Sequence, residues 1–423
     1  MIYWGAFADC FIRGSLSILA SNAGPMSSIS NEDLSHLVVL ETGCSVAAAF
    51  CTVLLADFGA TVLACENPPH GSSIRALGGS AVQEVWWKVI ARNKRSIAID
   101  GDNVFSRPVI ARLCNMADVV LIDAGSPKYW IEEAQKAKNS PLLVSISSTG
   151  ADLPNLWPWS VRPEFAAAAT GMMALTGQRD GEPVQPEFPL SEYLSGMMTA
   201  THILAELRRR RLTRLNSKPI VVAEHEAGQR MIEWQIPVAT ALGRPELRDG
   251  NNFSMAGGIS YIHQTSDGRY VATSAATQSV ALRLMNMVGG ERLCADPRFA
   301  NPATRSNHMP ALIEIIDNWI SQHSFDDVIA AADLHDVVVG PIYNAEDVLR
   351  DSHLRARDNF IVLRDGDDRA ITMPAVLPRI SGIDTNVVHL GPAVGAQTNE
   401  VLARVGFSDD EIRVLHSSNV VWG

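Results

Sequence analysis

The sequence predicts an α/β fold built on a doubly wound parallel sheet, and three observations carry that prediction. Short apolar runs recur between residues 37 and 148, without the polar alternation of a strand that has one wet face. Helix-forming segments separate several of them, the pattern of strands joined by crossovers. Turn residues and charges gather just after the runs, as in Glu66-Asn67-Pro68-Pro69-His70-Gly71. Ligands of parallel sheets bind beyond the carboxyl ends of the strands, so this segment occupies a position where cofactors commonly sit.

Leu37-Val38-Val39-Leu40-Glu41 reads as the first strand, and Thr42-Gly43 turns the chain into a helix of small residues over 45–57. Phe58-Gly59-Ala60 ends that helix, and Thr61-Val62-Leu63-Ala64-Cys65 re-enters the sheet with Glu66 at its carboxyl end. Further strands fit residues 96–100, 118–122 and 142–148. Residues 151–163 read as a loop, with Pro154, Pro158 and Pro163 beside Trp157 and Trp159. Helices are predicted over 164–175 and 192–211, and Asn216-Ser217-Lys218-Pro219 is a candidate boundary. Beyond it, 221–242 reads as mostly helical and 257–274 as a hairpin around Ser266-Asp267-Gly268. Helices follow over 280–288, 310–322 and 325–332. Strands and loops occupy 337–388, and helices over 397–405 and 409–415 close the chain.

The 423 residues are 47% hydrophobic and 19% charged, the composition of an ordinary globular protein with room for two or three cores. A net charge of -11 argues against a general nucleic-acid or anionic-membrane surface. The run Arg208-Arg209-Arg210-Arg211 is the exception, and it reads as the cationic end of a helix or a subunit contact. The six cysteines (Cys10, Cys44, Cys51, Cys65, Cys114, Cys294) lack metal-ligand spacing and read as reduced thiols of a cytoplasmic protein. The apolar run 44–56 is too short to span a membrane. Residues 1–24 begin without basic residues and contain Asp9 and Arg13, unlike a signal peptide, so residues 1–30 are expected to be an extension.

A set of motifs then occurs in one order. It starts with Leu55-Ala56-Asp57-Phe58-Gly59-Ala60-Thr61-Val62, Glu66-x-Pro-x-x-Gly-x-x-x-Arg75 and Asn93-Lys94-Arg95-Ser96-Ile97. Ala117-Asp118-Val119-Val120, Thr170-Gly171-Met172 and Asp267-Gly268-Arg269-Tyr270-Val271 follow. Asp296-Pro297-Arg298-Phe299, Gly340-Pro341-Ile342, Leu390-Gly391-Pro392 and Asn399-Glu400-Val401-Leu402 complete it. Together they resemble the class III coenzyme A transferases, the CaiB/BaiF group, which also includes 2-methylacyl-CoA racemases. The resemblance implies a large Rossmann-like domain from residues 31–211 and 337–423, and a smaller α+β domain from 223–334. Residues 212–222 and 335–336 would be linkers, and two chains would interlock as rings in a homodimer.

The resemblance also implies a reaction. CoA moves between an acyl-CoA and a carboxylic acid through a mixed anhydride on an enzyme carboxylate, without metal or redox cofactor. The family's Asp falls at Glu164 or Pro163 of Arg162-Pro163-Glu164-Phe165-Ala166, depending on where the helix starts. Glu164 can do the same chemistry, although its extra methylene shifts the oxygens by about 1 Å, a displacement that can cost about 100-fold in rate. A simple helix-start role, with Pro163 at the first position and Glu164 favouring the dipole, competes with that reading. Glu192 replaces another family Asp at the start of the next helix.

By resemblance, Val46, Asn67, Arg75, Lys94, Arg95, Ile99 and Asp123 fall at or beside CoA-contact positions. Val46 stands where relatives place Gln, Asn67 where an Arg is common, and Asp123 where an Asn is common, so several favourable contacts are lost. Met255-Ala256-Gly257-Gly258-Ile259-Ser260 is the nearest match to the family's glycine loop. Racemase chemistry is disfavoured because Thr149-Gly150 stands where those enzymes carry His, and His202 and His225 fall on predicted helices. Asp100-Gly101-Asp102 and Asp365-Gly366-Asp367 lack the rest of a calcium loop and read as solvated turns. Trp86-Trp87 reads as core or interface, and Trp157, Trp159 and Phe165 hint at an apolar or bulky acyl group. The altered contacts leave a second reading open, a non-catalytic subunit paired with a homologous chain.

Overall fold

The computed structural model describes residues 34–79, 84–150, 157, 163–245, 248–251, 258–380 and 385–423, except the side chains of Pro163, Glu164 and Ala166. The expected extension over 1–30, most of the loop 151–163 and residues 255–257 of the glycine segment lie outside the described residues.

A seven-stranded sheet forms the centre, in the order β12-β3-β2-β1-β4-β5-β6. Its strands are β1 (Val38–Glu41), β2 (Thr61–Glu66), β3 (Arg95–Ile99), β4 (Val119–Asp123), β5 (Leu142–Ser147), β6 (Ile220–Ala223) and β12 (Val421–Trp422). All run parallel except β12, which closes the edge antiparallel to β3 with Val421 opposite Ile99. Val39, Leu40, Val62, Val120, Leu121 and Val144 have essentially no exposure, as strands covered on both faces require. Helices α1 (Val46–Ala56), α2 (Val85–Ile90), α3 (Arg107–Met116) and α4 (Lys128–Lys136) accompany the first five strands.

Ser45 caps α1 by accepting from the Ala48 amide at 3.2 Å. The small residues of α1 let helix α7 (Leu190–Thr213) approach backbone to backbone. A Cβ on Gly196 would stand 2.8 Å from the Ala47 carbonyl oxygen. The helix expected over 164–175 is broken into α5 (Pro163–Ala169) and α6 (Met172–Leu175). Gly171 takes φ +91° at the break, where a Cβ would also press on Ile232. The Thr170 hydroxyl donates to the Ala167 carbonyl and accepts from the Met172 amide, which fixes the turn.

Residues 220–223, expected as linker and the start of a helix, instead form β6 against β5. The β-branched run Ile220-Val221-Val222 favours an extended edge strand, and helix α8 (Glu224–Gln229) starts only after it.

A separate core lies under the three-stranded sheet β7 (Ile259–Gln264), β8 (Tyr270–Ala275) and β9 (Val339–Pro341). Helices Gln278–Cys294, Met309–Ile320 and Phe325–His335 cover it with Leu284, Leu312, Ile316 and Val328. Val337 joins this core and β9 pairs with β8, so residues 337–341, expected in the larger unit, pack in the smaller one. The hairpin β10 (Phe360–Arg364) and β11 (Ala370–Pro374) packs on Phe58, Val89 and Leu390. Its turn leaves Gly366 and Asp367 exposed, as expected, while the Asp365 side chain is sheltered, 2.8 Å from the Lys88 ammonium. Arg209 pairs with Glu206, and Arg210 donates to the carbonyls of Asn139 and Ser140, a structural use of two of the four consecutive arginines. Among the described residues no helix is long and apolar enough to cross a membrane.

Lys94 is fully buried, and its ammonium sits 2.8 Å from Glu41 Oε2 and 2.9 Å from the Ala49 carbonyl. Thr52 donates to the same Glu41 oxygen at 2.6 Å. Burial pulls the Lys94 pKa down, and the Glu41 charge opposes that shift. Removing one partner leaves the other charge buried and uncompensated, so Lys94→Ala should lower unfolding stability by about 3–5 kcal/mol. Urea melts of wild type, Lys94→Ala and the Glu41→Leu/Lys94→Met double variant measure this. The double variant should recover much of the loss, and a single variant as stable as wild type contradicts the ion pair.

Candidate active site

The strand order reverses between β1 and β4, and the crevice at such a switch point is where an open parallel sheet accepts ligands. Here the crevice is bounded by Thr42-Gly43-Cys44-Ser45 after β1 and by Asp123 at the end of β4. One Asp123 oxygen accepts from the amides of Cys44 and Ser45, both at 2.7 Å, and the other accepts from the Gly125 amide at 2.9 Å. A Cβ on Gly43 would stand 2.3 Å from that carboxylate, so the approach requires glycine. The positive end of α1 is therefore answered by a carboxylate of the chain itself.

Two adjoining cavities open at this edge of the sheet, and Cys44 and Ser73 line both. The larger, about 510 Å³, runs from Val46 and Trp86 to Ala167 of α5, Glu192 of α7 and Glu224 of α8. The smaller, about 230 Å³, is walled by Glu66, Asn67, Ile99, Gly125 and Tyr129. Of the residues expected to contact CoA, Val46 lines the larger cavity, Asn67 and Ile99 line the smaller, and Asp123 braces the loop between them.

The three expected cations line neither cavity. Lys94 is committed to Glu41 inside the core. Arg75 is buried in a two-pronged pair with Glu66, both contacts 2.8 Å, and donates to the Pro392 carbonyl while lying over the Trp87 ring. Arg95 pairs with Glu400 at the surface. Each of these three cations thus has an anion of the chain to neutralise.

Helix α5 brings Ala167 into the wall of the larger cavity, with Glu164 one turn earlier on the same helix. The Glu164 side chain lies outside the described residues, as does Trp159. Trp157 is half-buried and meets the His225 ring edge-on at 5.2 Å.

Sequence reasoning missed Glu224. It stands at the carboxyl end of β6, is 2% exposed, and accepts from the Ser148 hydroxyl at 3.2 Å. Burial first, then the Glu192 charge, pushes its pKa up to about 7, against the pull of the Ser148 hydrogen bond. An acid directly after Ile220-Val221-Val222-Ala223 marks a strand end, a signal hidden when 221–242 reads as helix. Burial and the Asp123 charge raise the Cys44 thiol pKa, which disfavours its thiolate. Among the described residues no His, Cys, Asp and Glu cluster could hold a metal ion.

The chain resembles known proteins along most of its length. It is 29% identical over 399 residues to the succinyl-CoA–D-citramalate CoA-transferase of Chloroflexus aurantiacus, covering 92% of this chain and 98% of that protein. It is 28% identical over 400 residues to the β subunit of the succinyl-CoA–L-malate CoA-transferase of the same organism, at the same coverage. The fold matches the crystal structure of a CaiB/BaiF family protein from Brucella suis with a TM-score of 0.78 and 24% identity, covering 89% of this chain and all of that one. The profile of CoA-transferase family III matches residues 34–398, and the chain belongs to that family.

Proposed function

We propose that this protein moves coenzyme A from an acyl thioester to a carboxylic acid, with Glu164 as the covalent carboxylate. The observation that carries the reading is the place of α5, whose Ala167 walls the larger cavity at the carboxyl edge of the sheet one turn after Glu164. A Glu164 oxygen attacks the thioester carbonyl, the carbon–sulfur bond breaks, and CoA leaves as thiolate with a mixed anhydride on the enzyme. The acceptor carboxylate then attacks the Glu164 carbonyl of that anhydride and expels the donor acid as its carboxylate, and the thiolate adds to the acceptor's acyl carbonyl, forming the new thioester and releasing Glu164 as carboxylate. The thioester and acyl group occupy the larger cavity, and part of the CoA arm occupies the smaller, beside Asn67 and Ile99.

The working form in this proposal is a homodimer of interlocked chains, with a large domain of N- and C-terminal parts and a smaller middle domain. Apolar residues left exposed by one chain, among them Met197, Met231, Trp234 and Ile236, support a covering partner. A second reading, a non-catalytic subunit beside a homologous chain, draws on relatives named as α and β subunits of one enzyme and on the carboxylate already filling the α1 terminus. Calorimetry with the purified homodimer separates the two: CoA binding without a second chain removes the subunit reading.

Exchange of label between acyl-CoA and free acid should be catalysed by wild type and reduced at least about 1,000-fold in Glu164→Ala, as expected when a covalent nucleophile is lost. Hydroxylamine added during turnover should leave a hydroxamate on Glu164, detected by mass spectrometry. A Glu164→Ala protein that exchanges label at the wild-type rate assigns the nucleophile elsewhere.

Glu224 gives a readout independent of catalysis. Its folded pKa of about 7 lies above its ordinary value of 4.5. Both states are protonated below about pH 4.5, and the folded state resists ionisation above it, so stability relative to Glu224→Gln should be highest there. It should then fall by up to about 3 kcal/mol as pH rises through 7. Thermal melts between pH 4.5 and 8 test this, and parallel curves for the two proteins exclude the shift.

A further inference from the structure

We infer that the smaller unit holds a second binding site, for an organic acid with one carboxylate, in a cavity walled by Arg305. This cavity, about 940 Å³, lies between the β7–β8 hairpin at Tyr261 and Ala275 and the helices Pro302–Asn307 and Met309–Ile320. It shares no lining residue with either cavity at the edge of the large sheet, so it is independent of the site proposed for CoA transfer. Four Lys or Arg residues are buried among the described residues: Arg75, Arg92, Lys94 and Arg305. The first three each hold a buried carboxylate: Glu66 at 2.8 Å, Asp57 at 2.5 Å and Glu41 at 2.8 Å. Arg305 is 5% exposed and pairs with no carboxylate among the described residues. Its guanidinium donates to Gln278 Oε1 at 2.7 Å and to the Phe299 carbonyl at 3.4 Å, both neutral acceptors. Burial lowers its pKa, with no neighbouring charge opposing the shift. A lysine so placed can shed its proton, but an arginine stays charged. A buried charge without a counter-ion is costly, and the chain supplies one in the three other places.

The planar fork of Arg305 matches the two oxygens of a carboxylate. The amino end of the helix Gln278–Cys294 enters the same wall through Ala276 and Gln278, and its dipole also favours negative charge. Met309, Pro310 and Ile313 supply apolar surface for the rest of the ligand. Carboxylates line the cavity too. Asp249 pairs with Arg179, Asp317 lies 2.6 Å from His263 Nδ1, and Glu314 is exposed. One unmatched cation among such neighbours favours a ligand with a single negative charge over a dianion such as inorganic phosphate.

The test titrates the full-length protein with 4-bromobenzoate by calorimetry and soaks the same acid into its crystals, where the anomalous signal of bromine locates it. Wild type should bind the acid in solution, with the bromine in the cavity beside Arg305. Arg305→Met removes the charge and keeps an apolar stem, and it should weaken binding at least about tenfold, as loss of a charged hydrogen-bond partner does. Gln278→Glu places a carboxylate against the guanidinium, so it should weaken binding to the same degree while melting no lower than wild type. That variant keeps the arginine and decides the matter if Arg305→Met fails to fold. Inorganic phosphate at about pH 8 should bind at least about tenfold more weakly than the carboxylate. Absence of binding in solution, bromine found only in the cavity beside α5, or an affinity unchanged in the variants overturns the inference. Phosphate bound as tightly as the acid overturns it as well, and so does a carboxylate of a second copy of the chain paired with Arg305 in wild-type crystals.

Discussion

A lysine shut away from water must be paired, and the site is assembled around that requirement. Lys94 enters just before β3, Glu41 ends β1, and Thr52 with the Ala49 carbonyl belongs to α1. One buried network therefore ties two strands and a helix together at the carboxyl edge of the sheet. The turn that carries Cys44 and Ser45 emerges directly from Glu41, so its position is set by that network. A second hub does the same for the next strand. Glu66 takes Arg75, the Ser72 amide and the Ser96 hydroxyl, and Ser96 accepts from Gly395 of the C-terminal segment. The loop over 66–75 is held shut from three directions, including one that is distant in sequence.

These hubs explain which parts of the site were legible in the chain alone. Runs such as Leu37-Val38-Val39-Leu40 and Ala117-Asp118-Val119-Val120 can bury both faces in only one kind of sheet, so strand positions came through to within a residue or two. The hairpin at Asp267-Gly268 was equally plain, because Gly268 takes the positive φ such a turn needs. Breaks set by tertiary contact were not. Periodicity runs through Thr170-Gly171, and only the packing of Ile232 against Gly171 shows where the helix stops. Residues 220–223 read as linker and the start of a helix because β-branched and small residues are ambiguous until a neighbouring strand is known.

The site was less legible than the fold, for a related reason. A cation near a ligand-binding edge in sequence has two uses, and only geometry separates them. Arg75 is consumed by Glu66 of its own motif and Lys94 by Glu41 at the end of β1, so these cations answer acids of the chain. Glu224 went unnoticed for the opposite reason. It has no cationic neighbour in sequence, and its importance comes from three remote groups, Ser148, Glu192 and Asp123, that converge on it through β5, α7 and β4.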